Sequence, residues 1–594
     1  MIAAAAMIFS LASCSVNDIE KSDVITADKT TAYAKVVISM PKVTGTRADF
    51  TPGEKNGSFD EGAAESKIKS INLAFYDENG TYVCQASLDS EMTIGGADEP
   101  QGNLGNNVSS SYAQVLRVII PEGVNKPTQV VAFINTDVKT YNLDELCTNG
   151  KVTADAFAEG EYFVMTNAGY YTSDEVGKGD YMIAASINLY DTEDDAKSAV
   201  ADVIYVERLA AKITVDVKKD DNEVKIDQDE ANYVVKDVDD KLVTLKYMPK
   251  FWGATGTAKD ENVVKTQFEK TATWMNAADQ HRSYWAKSAY YTDTPYPTVD
   301  DSPLSYLIFK DIAGTADDDH DSDDDVMNAT GKSNYVFEHT ASVGIEGMDL
   351  ISNTYVIVTG NYEVYVDGTL DESVYYKDEK VNFYLLSIGV DANEKLEDDE
   401  ENPDFGKSVF RIFNETQLMK YLLNYNGISA VYEDEDGTEI EDARLADFFE
   451  LKYKAGDDGV SKYYLAIKAG ETVYVKNEED DSYEKLETEE DLTLKKSTNS
   501  RHYYFPEGGA YFNVPIPQNI SGSDITYGVV RNHSYVLTIE KIQSLGAPLD
   551  ENKFTSDPDN PGNDPVIPDP NFDNYINAKI NILSWHVVEH GVTL

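Results

Sequence analysis

The sequence predicts an all-β fold of antiparallel sandwiches with few short helices. Three observations carry this: short runs of alternating apolar and polar residues recur along the chain, polar turn dipeptides separate them, and helix-period patterns are scarce. At 594 residues the chain is too long for one core, so two or more domains are expected.

The elements follow in order. "YAKVVISMPKVTGTRADF" (33–50) opens with a strand from Ala34 to Met40, followed by Pro41 and a small-residue linker holding one arginine, Arg47. "SINLAFYDENGTYVCQASL" (70–88) alternates and turns at Asn79-Gly80, a dipeptide that tolerates positive φ. "AQVLRVIIP" and "TQVVAFINT" come next, then "DVIYVERLAAKITVDVK" (202–218), β-branched on both sides of a Leu-Ala-Ala break. Further strands are "KLVTLKYM", "NTYVIVTGNYEVYVDGTL" with its Asp367-Gly368 turn, "KVNFYLLSIGV", "KYYLAIKAGETVYVK" and "HSYVLTIEKI". "NETQLMKYLLNYNG" (414–427) is helical, capped by Asn414 or Thr416 and ended at Gly427.

Composition excludes some function classes. Lys+Arg of 50 against Asp+Glu of 106 gives −56, which repels phosphate backbones and anionic lipid, so no nucleic-acid partner is expected. Hydrophobic content of 41% is enough for packed cores, and Tyr (39) outnumbers the other aromatics, as in exposed β-rich proteins. The three cysteines, Cys14, Cys84 and Cys147, lack zinc spacing. Cys84 and Cys147 either pair in an oxidising compartment or stay as two unpaired core cysteines.

No apolar run reaches the ~18 residues a spanning helix needs. The start, "MIAAAAMIFSLASCS", closes on Leu11-Ala12-Ser13-Cys14, small residues before a cysteine that resemble the lipobox of bacterial lipoproteins, where the cysteine is acylated after signal cleavage. No Lys or Arg precedes the apolar segment, which departs from that pattern.

The acidic segments "DDDHDSDDD" (317–325), "EKLEDDEENPD" (394–404) and "YEDEDGTEIED" (432–442) suggest calcium at first sight. Counted from Tyr432, the EF-hand pattern finds Asp434, Asp436 and Gly437 in place but Tyr432 at its first position and Ala443 at its twelfth. The pattern fails, and solvated loops without metal are expected. "DENKFTSDPDNPGNDPVIPDPNFDN" (550–574) reads as an extended linker that cannot pack, and beyond it "YINAKINILSWHVVEHGVTL" forms one isolated strand that needs a partner.

The two end strands match. Ala34, Val36, Ile38 and Met40 share one face; Ile576, Ala578, Ile580 and Ile582 share another, with Trp585 just beyond. Each covers roughly 20 Å, so either fits the same slot in a sandwich. An Arg-specific protease entering the "VTGTR" linker and cutting between Arg47 and Ala48 would detach the first strand and open that slot to another molecule's tail. Burying four such side chains contributes on the order of 4–10 kcal/mol as an upper bound. Head-to-tail exchange does not close on itself and yields a filament. Alternatively, both strands simply belong to their own domains.

At this point the sequence resembles the fimbrillins of Bacteroidales, specifically the minor-fimbrium (short-fimbria) major-subunit family. The residues carrying it are "VIYVERLAAKITVDV" (203–217), "HRSYWAKS" (281–288), "NTYVIVTGNY" (353–362), "GVVRNHSYVLTIEKIQSLGAPL" (528–549) and "ILSWHVVEHGVTL" (582–594), spread in order over essentially the whole chain. The resemblance implies a precursor exported as an outer-membrane lipoprotein (a palmitate anchor on Cys14), cut after Arg47, with two transthyretin-like β-sandwich domains and a C-terminal donor strand. It divides the chain into a signal peptide (1–13), a propeptide carrying the removable strand (14–47), sandwich domains (48–248 and 249–549), and a linker with donor strand (550–594). It further implies a mature form in extracellular fimbriae that mediates adhesion. The implied partners are other copies of the chain, accessory and anchor subunits, an Arg-specific protease, and host or bacterial surface ligands, with no cofactor. Val336, His339, Ala510 and His590 depart from the family pattern; Val336 and Ala510 stand where some members carry cysteine, which is consistent with one lost disulfide.

Two other function classes compete with this one. No G-x-S-x-G, H-E-x-x-H, phosphate-binding loop or dinucleotide fingerprint occurs, and His586 and His590 on a strand stand about 13 Å apart, too far for one metal, so no catalytic residues are assigned. An outer-membrane lipoprotein binding polysaccharide is the alternative, with Trp252, Trp274, Trp285 and Trp585 as either stacking platforms or sandwich-core residues.

Overall fold

A computed structural model describes residues 29–41, 68–88, 108–153, 286–292, 294, 296–313, 327–341, 382–387, 408–454, 564–566 and 577–584. With short breaks it also describes 163–217, 224–268, 350–370, 462–486 and 502–550. The fold is all-β with short helices, as the alternation predicts.

The first half is built from β1 (Lys29–Pro41), β2 (Ile71–Tyr76), β3 (Tyr82–Leu88), β4 (Val108–Pro121), β5 (Gln129–Ile134), β6 (Met165–Asn167) and β7 (Asp202–Arg208). They join in the order β3-β2-β5-β6-β7-β1-β4. The inward faces of Leu73, Phe75, Leu116, Val118, Val130, Ala132, Ile204 and Val206 make one core. The β2–β3 hairpin turns through Asp77–Thr81. Gly80 takes φ +75, and the Asp77 carboxylate accepts the amides of Asn79 and Thr81, each at 2.9 Å. Asn79 stays at ordinary φ, so Gly80 alone meets the left-handed requirement.

The second half runs through β8 (Ala210–Val217), β9 (Leu242–Thr255), β10 (Ser333–Phe337), β11 (Tyr355–Val366), β12 (Gly509–Pro515), β13 (His533–Lys541) and β14 (Asn577–Ser584). A four-stranded sheet in the order β10-β8-β13-β14 faces a larger sheet in which β9, β11 and β12 are neighbours. Between them lies a core containing Ile213, Tyr247, Trp252, Val358, Tyr362, Phe512 and Leu537. Ile213, Val215, Tyr233, Val243 and Tyr247, all ahead of the 248/249 division, belong to this second core. In the β11 hairpin, Val366 pairs with Thr369, and the Asp367-Gly368 turn lies outside the described residues.

A third core, not separated in the sequence reading, includes Tyr384, Leu386 and Phe413 of the neighbouring strands Phe383–Ser387 and Ser408–Phe413. Helix α2 (Glu415–Tyr425, following α1 at Glu193–Ser198) packs Leu418, Met419, Leu422 and Leu423 there, against the hairpin of Phe449–Lys454 and Lys462–Ile467. Its cap is Asn414 rather than Thr416: the Asn414 side chain accepts the Gln417 amide at 2.8 Å, and the Gln417 side chain accepts the Asn414 amide at 2.9 Å. Gly427 at φ +82 ends it. The 432–442 segment forms a tight turn in which Asp434 accepts the amides of Asp436 and Thr438. Among the described residues no group of side chains has metal-binding geometry, and no helix is long and apolar enough to cross a membrane.

One expectation is corrected. The 550–574 segment does pack at Asp564–Val566: Phe309 donates its amide to Asp564 at 2.9 Å, Val566 donates to Leu307 at 2.8 Å, and Tyr355 Oη donates to the Val566 carbonyl at 3.1 Å. Val566 is fully buried beside Leu307 and Ile357. Val566, in the stretch Asp-Pro-Val-Ile-Pro, offers enough apolar surface to seat itself in a gap.

Candidate functional site

The first sequence-predicted element is β1. Ala34, Val36 and Ile38 are all fully buried, and Ala32 extends the same face toward the N-terminus. Of Met40, the backbone pairing to Ser110 is described. β1 pairs antiparallel with β4 along its whole length, from Lys29 opposite Pro121 to Pro41 opposite Val108. On its other side, Val36–Ser39 pairs parallel with Asp202–Tyr205 of β7. Among the described residues β4 pairs with no other strand, so β1 alone joins β4 to the sheet through β7. Removing it exposes two unpaired edges and uncovers Leu116, Val118 and Ile204.

One flank of β1 is covered by chain from 190 to 199. Tyr33 and Tyr190 exchange backbone hydrogen bonds, both 2.7 Å. The Lys35 ammonium donates to the carbonyls of Lys197 and Ala199 at 3.2 and 3.3 Å, at the C-terminal end of α1. Those carbonyls lack helical partners and sit at the negative end of the helix dipole, so a lysine there is favourable. Cys14, Arg47 and Ala48 lie outside the described residues.

The second element is the C-terminal tail. β14 pairs antiparallel with β13 of its own chain, with Ala578 opposite Ile539, Ile580 opposite Leu537 and Ile582 opposite Tyr535. The partner it requires is thus intramolecular in the single chain. Ile576 and Trp585 lie outside the described residues.

The two elements are linked through one stretch of backbone. β7, which holds β1, passes through the buried Leu209 into β8, which pairs parallel with β13, which holds β14. At this joint sits a buried ionic cluster that the sequence reading missed. Lys265 Nζ lies 3.2 Å from Glu207 and 3.8 Å from Glu338; Arg531 lies 3.3 Å from Glu338 and 3.4 Å from Glu261. Arg531 also donates to the carbonyls of Asn262 and Val263 at 2.8 and 3.1 Å. Burial pushes the Glu261 carboxyl up to about 8, against the opposing pull of Arg531, and it raises Glu207 as well. Burial also holds the neighbouring His339 imidazole down to about 4; its Nε2 is 2.9 Å from the Ser352 carbonyl oxygen. The available signal was Glu207-Arg208 standing unbroken inside an apolar strand run.

The open cysteine question resolves by face. Cys84 is buried in the first core, while Cys147 packs with Tyr76 and Phe133 on the other side of that sheet, and both are free. Burial raises their thiols to about 12 and about 11, which keeps them protonated and inert. Trp252 is fully buried in the second core and offers no stacking surface; Trp274, Trp285 and Trp585 lie outside the described residues.

Residues 503–590, which include β12, β13 and β14, match the family described as major fimbrial subunit protein type IV, fimbrillin, C-terminal. No curated protein matches the chain. Among solved structures, a candidate cell adhesion protein from Parabacteroides distasonis aligns over 94% of this chain and 98% of its own, at 11% identity and TM-score 0.32. The tip fimbrial protein Mfa3 from Porphyromonas gingivalis, truncated at its C-terminus, aligns over 86% and 95%, at 8% identity and TM-score 0.26. A fimbrial assembly protein from Parabacteroides distasonis aligns over 57% and 87%, at 10% identity and TM-score 0.23. These three likenesses are too loose to assign function.

Proposed function

Taking residues 503–590 as a fimbrillin C-terminal segment, we propose that the chain is a structural subunit of a surface fimbrium that polymerises by protease-triggered donor-strand exchange and serves adhesion. One observation carries the reading: β1 alone joins β4 to β7 among the described residues, and it is followed within a few residues by the Arg47–Ala48 bond. In this reading the precursor is held at the outer membrane through Cys14. An Arg-specific protease cuts after Arg47, β1 leaves, and the tail of another copy enters between β4 and β7.

The tail starts from β13 of its own chain, so exchange trades an edge position for an interior one. β14 gains a second paired neighbour, which favours the move. The anchor at Val566 sets its range: the eleven residues to Asn577 span at most ~40 Å when extended. The adhesion and assembly roles rest on the fimbrillin match, with host or bacterial surfaces and accessory subunits as partners. The chain acts by binding and carries no assigned catalysis.

The test is to treat the full precursor with an Arg-specific protease. SDS-sensitive ladders should form from subunits beginning at Ala48, and a chain lacking residues 575–594 should remain a folded monomer. Ladders of normal length from the shortened chain would overturn the proposal.

A further inference from the structure

We infer that the tail enters the vacated slot in one register, with Ala578, Lys579, Ile580 and Ile582 taking the places of Ala34, Lys35, Val36 and Ile38, and with Lys579 re-forming the contact to the end of α1. This rests on the donor-strand reading. The sequences "AKVVI" (34–38) and "AKINI" (578–582) agree at three positions, and both differences preserve what the slot needs. Position 36 faces the core and receives Ile for Val. By the period of two, position 37 falls on the opposite face from Val36 and Ile38, and it receives Asn581.

Two features select this register. Ala34 is fully buried, so a larger side chain there has no room to grow, and the tail offers one small residue at the right period, Ala578. Lys35 is the residue whose ammonium reaches the Lys197 and Ala199 carbonyls, and Lys579 follows Ala578 as Lys35 follows Ala34. A slip of two residues one way seats Ile580 on the Ala34 position and Ser584 on the Ile38 position. A slip the other way puts Ile576 on Ala34 and leaves Ala578 where Val36 belongs. Both place an asparagine beside the helix end. A slip of one reverses the buried face. In a reversed strand, seating Ala578 at position 34 sends Lys579 to position 33, so the two conditions are never met together.

In this register the tail runs parallel to β7 and antiparallel to β4, as β1 does. Asn577 replaces Tyr33, and the two hydrogen bonds to Tyr190 survive because they are backbone bonds. The tail adds bulk at two places: Ile580 brings one methylene more than Val36, and Ile576 replaces Ala32 near the start of the strand.

The experiment uses mixed full-length copies, cut after Arg47 and assembled into filaments. One copy carries Ala113→Cys, on the residue opposite Val37. The other carries Asn581→Cys, or as slipped controls Lys579→Cys or Leu583→Cys. An intermolecular disulfide dominated by Asn581→Cys is expected. A stronger bond from either control overturns the register while leaving strand exchange standing. Filaments in which none of the three forms a bond also overturn the register, and the exchange itself is then decided by whether the chain lacking residues 575–594 still assembles. In a Lys579→Met background the yield at Asn581→Cys should fall about two- to fivefold, with Lys579→Arg restoring it. An unchanged yield in Lys579→Met removes the lysine from the mechanism.

Discussion

The Glu207 carboxylate sits 3.2 Å from the Lys265 ammonium, and neither side chain reaches solvent. Glu207 stands on the strand that holds β1, while Lys265 shares Glu338 with Arg531, immediately ahead of the strand that holds the tail. Removing one member leaves a buried charge short of its partner, which costs about 3–5 kcal/mol. Glu207→Ala should therefore lower stability by about 3 kcal/mol in urea unfolding. Glu207→Gln, which keeps a hydrogen-bond acceptor, should lose less. A Glu207→Ala chain that unfolds like wild type would show that the cluster does not tie the halves together.

The same cluster makes stability depend on pH. Glu261 binds its proton more tightly folded, at about 8, than its ordinary 4.5, because burial outweighs Arg531. Between those values the folded state holds more protons than the unfolded one, so this group's stabilisation is complete below 4.5 and is lost as pH rises to about 8. His339 acts in the opposite sense. Its folded value of about 4 lies below 6.5, so stability rises with pH between them. Melting curves at graded pH should show Glu261→Gln flattening the decline up to about 8. An unaltered decline would assign it to another group.

Ile38 is fully buried in the first core, so Ile38→Ala in the uncut chain should cost about 2–5 kcal/mol. If β1 leaves after cleavage, filaments built from that variant contain no residue 38. Their resistance to SDS should then equal that of wild-type filaments. A matching loss in both states would mean that β1 stays in place.

Val566 pins the segment after Asp550 to the body. Val566→Asp places a carboxylate in the apolar cluster of Leu307, Ile312 and Ile357, which favours release of the segment over burial of the charge. Limited proteolysis between 551 and 576 should accelerate while the melting temperature changes little, because the opening is local. Unchanged proteolysis would show that the hydrogen bonds at Asp564–Val566 hold without the side chain.

Asn414→Ala removes the cap of α2 and should destabilise the third core by about 1 kcal/mol, read by hydrogen exchange over 415–425. Equal exchange in both chains would place that helix's stability in its packing alone.

Strand positions were legible because alternation records which side of a strand meets apolar surroundings. Ala34 to Ile38 and the hairpin at Gly80 both follow from residue order. The helix start was legible to within two residues, and the structure chose Asn414 because its side chain and that of Gln417 reach each other's amides. The linker was misread at Val566, since composition averages over a segment and one well-placed side chain escapes the average. The ionic cluster was invisible because its members come from positions as distant as 207 and 531.

By itself the sequence determined that this is a β protein, that a good strand lies ahead of Arg47, and that the tail repeats that strand's pattern down to its Ala-Lys pair. Only the tertiary structure decided that β1 is interior, among the described residues alone joining β4 to β7, and that the free tail rests on β13. Periodicity is local and reports one face of one strand. Which strands become neighbours depends on how distant surfaces fit together, and that is settled only when the whole chain packs.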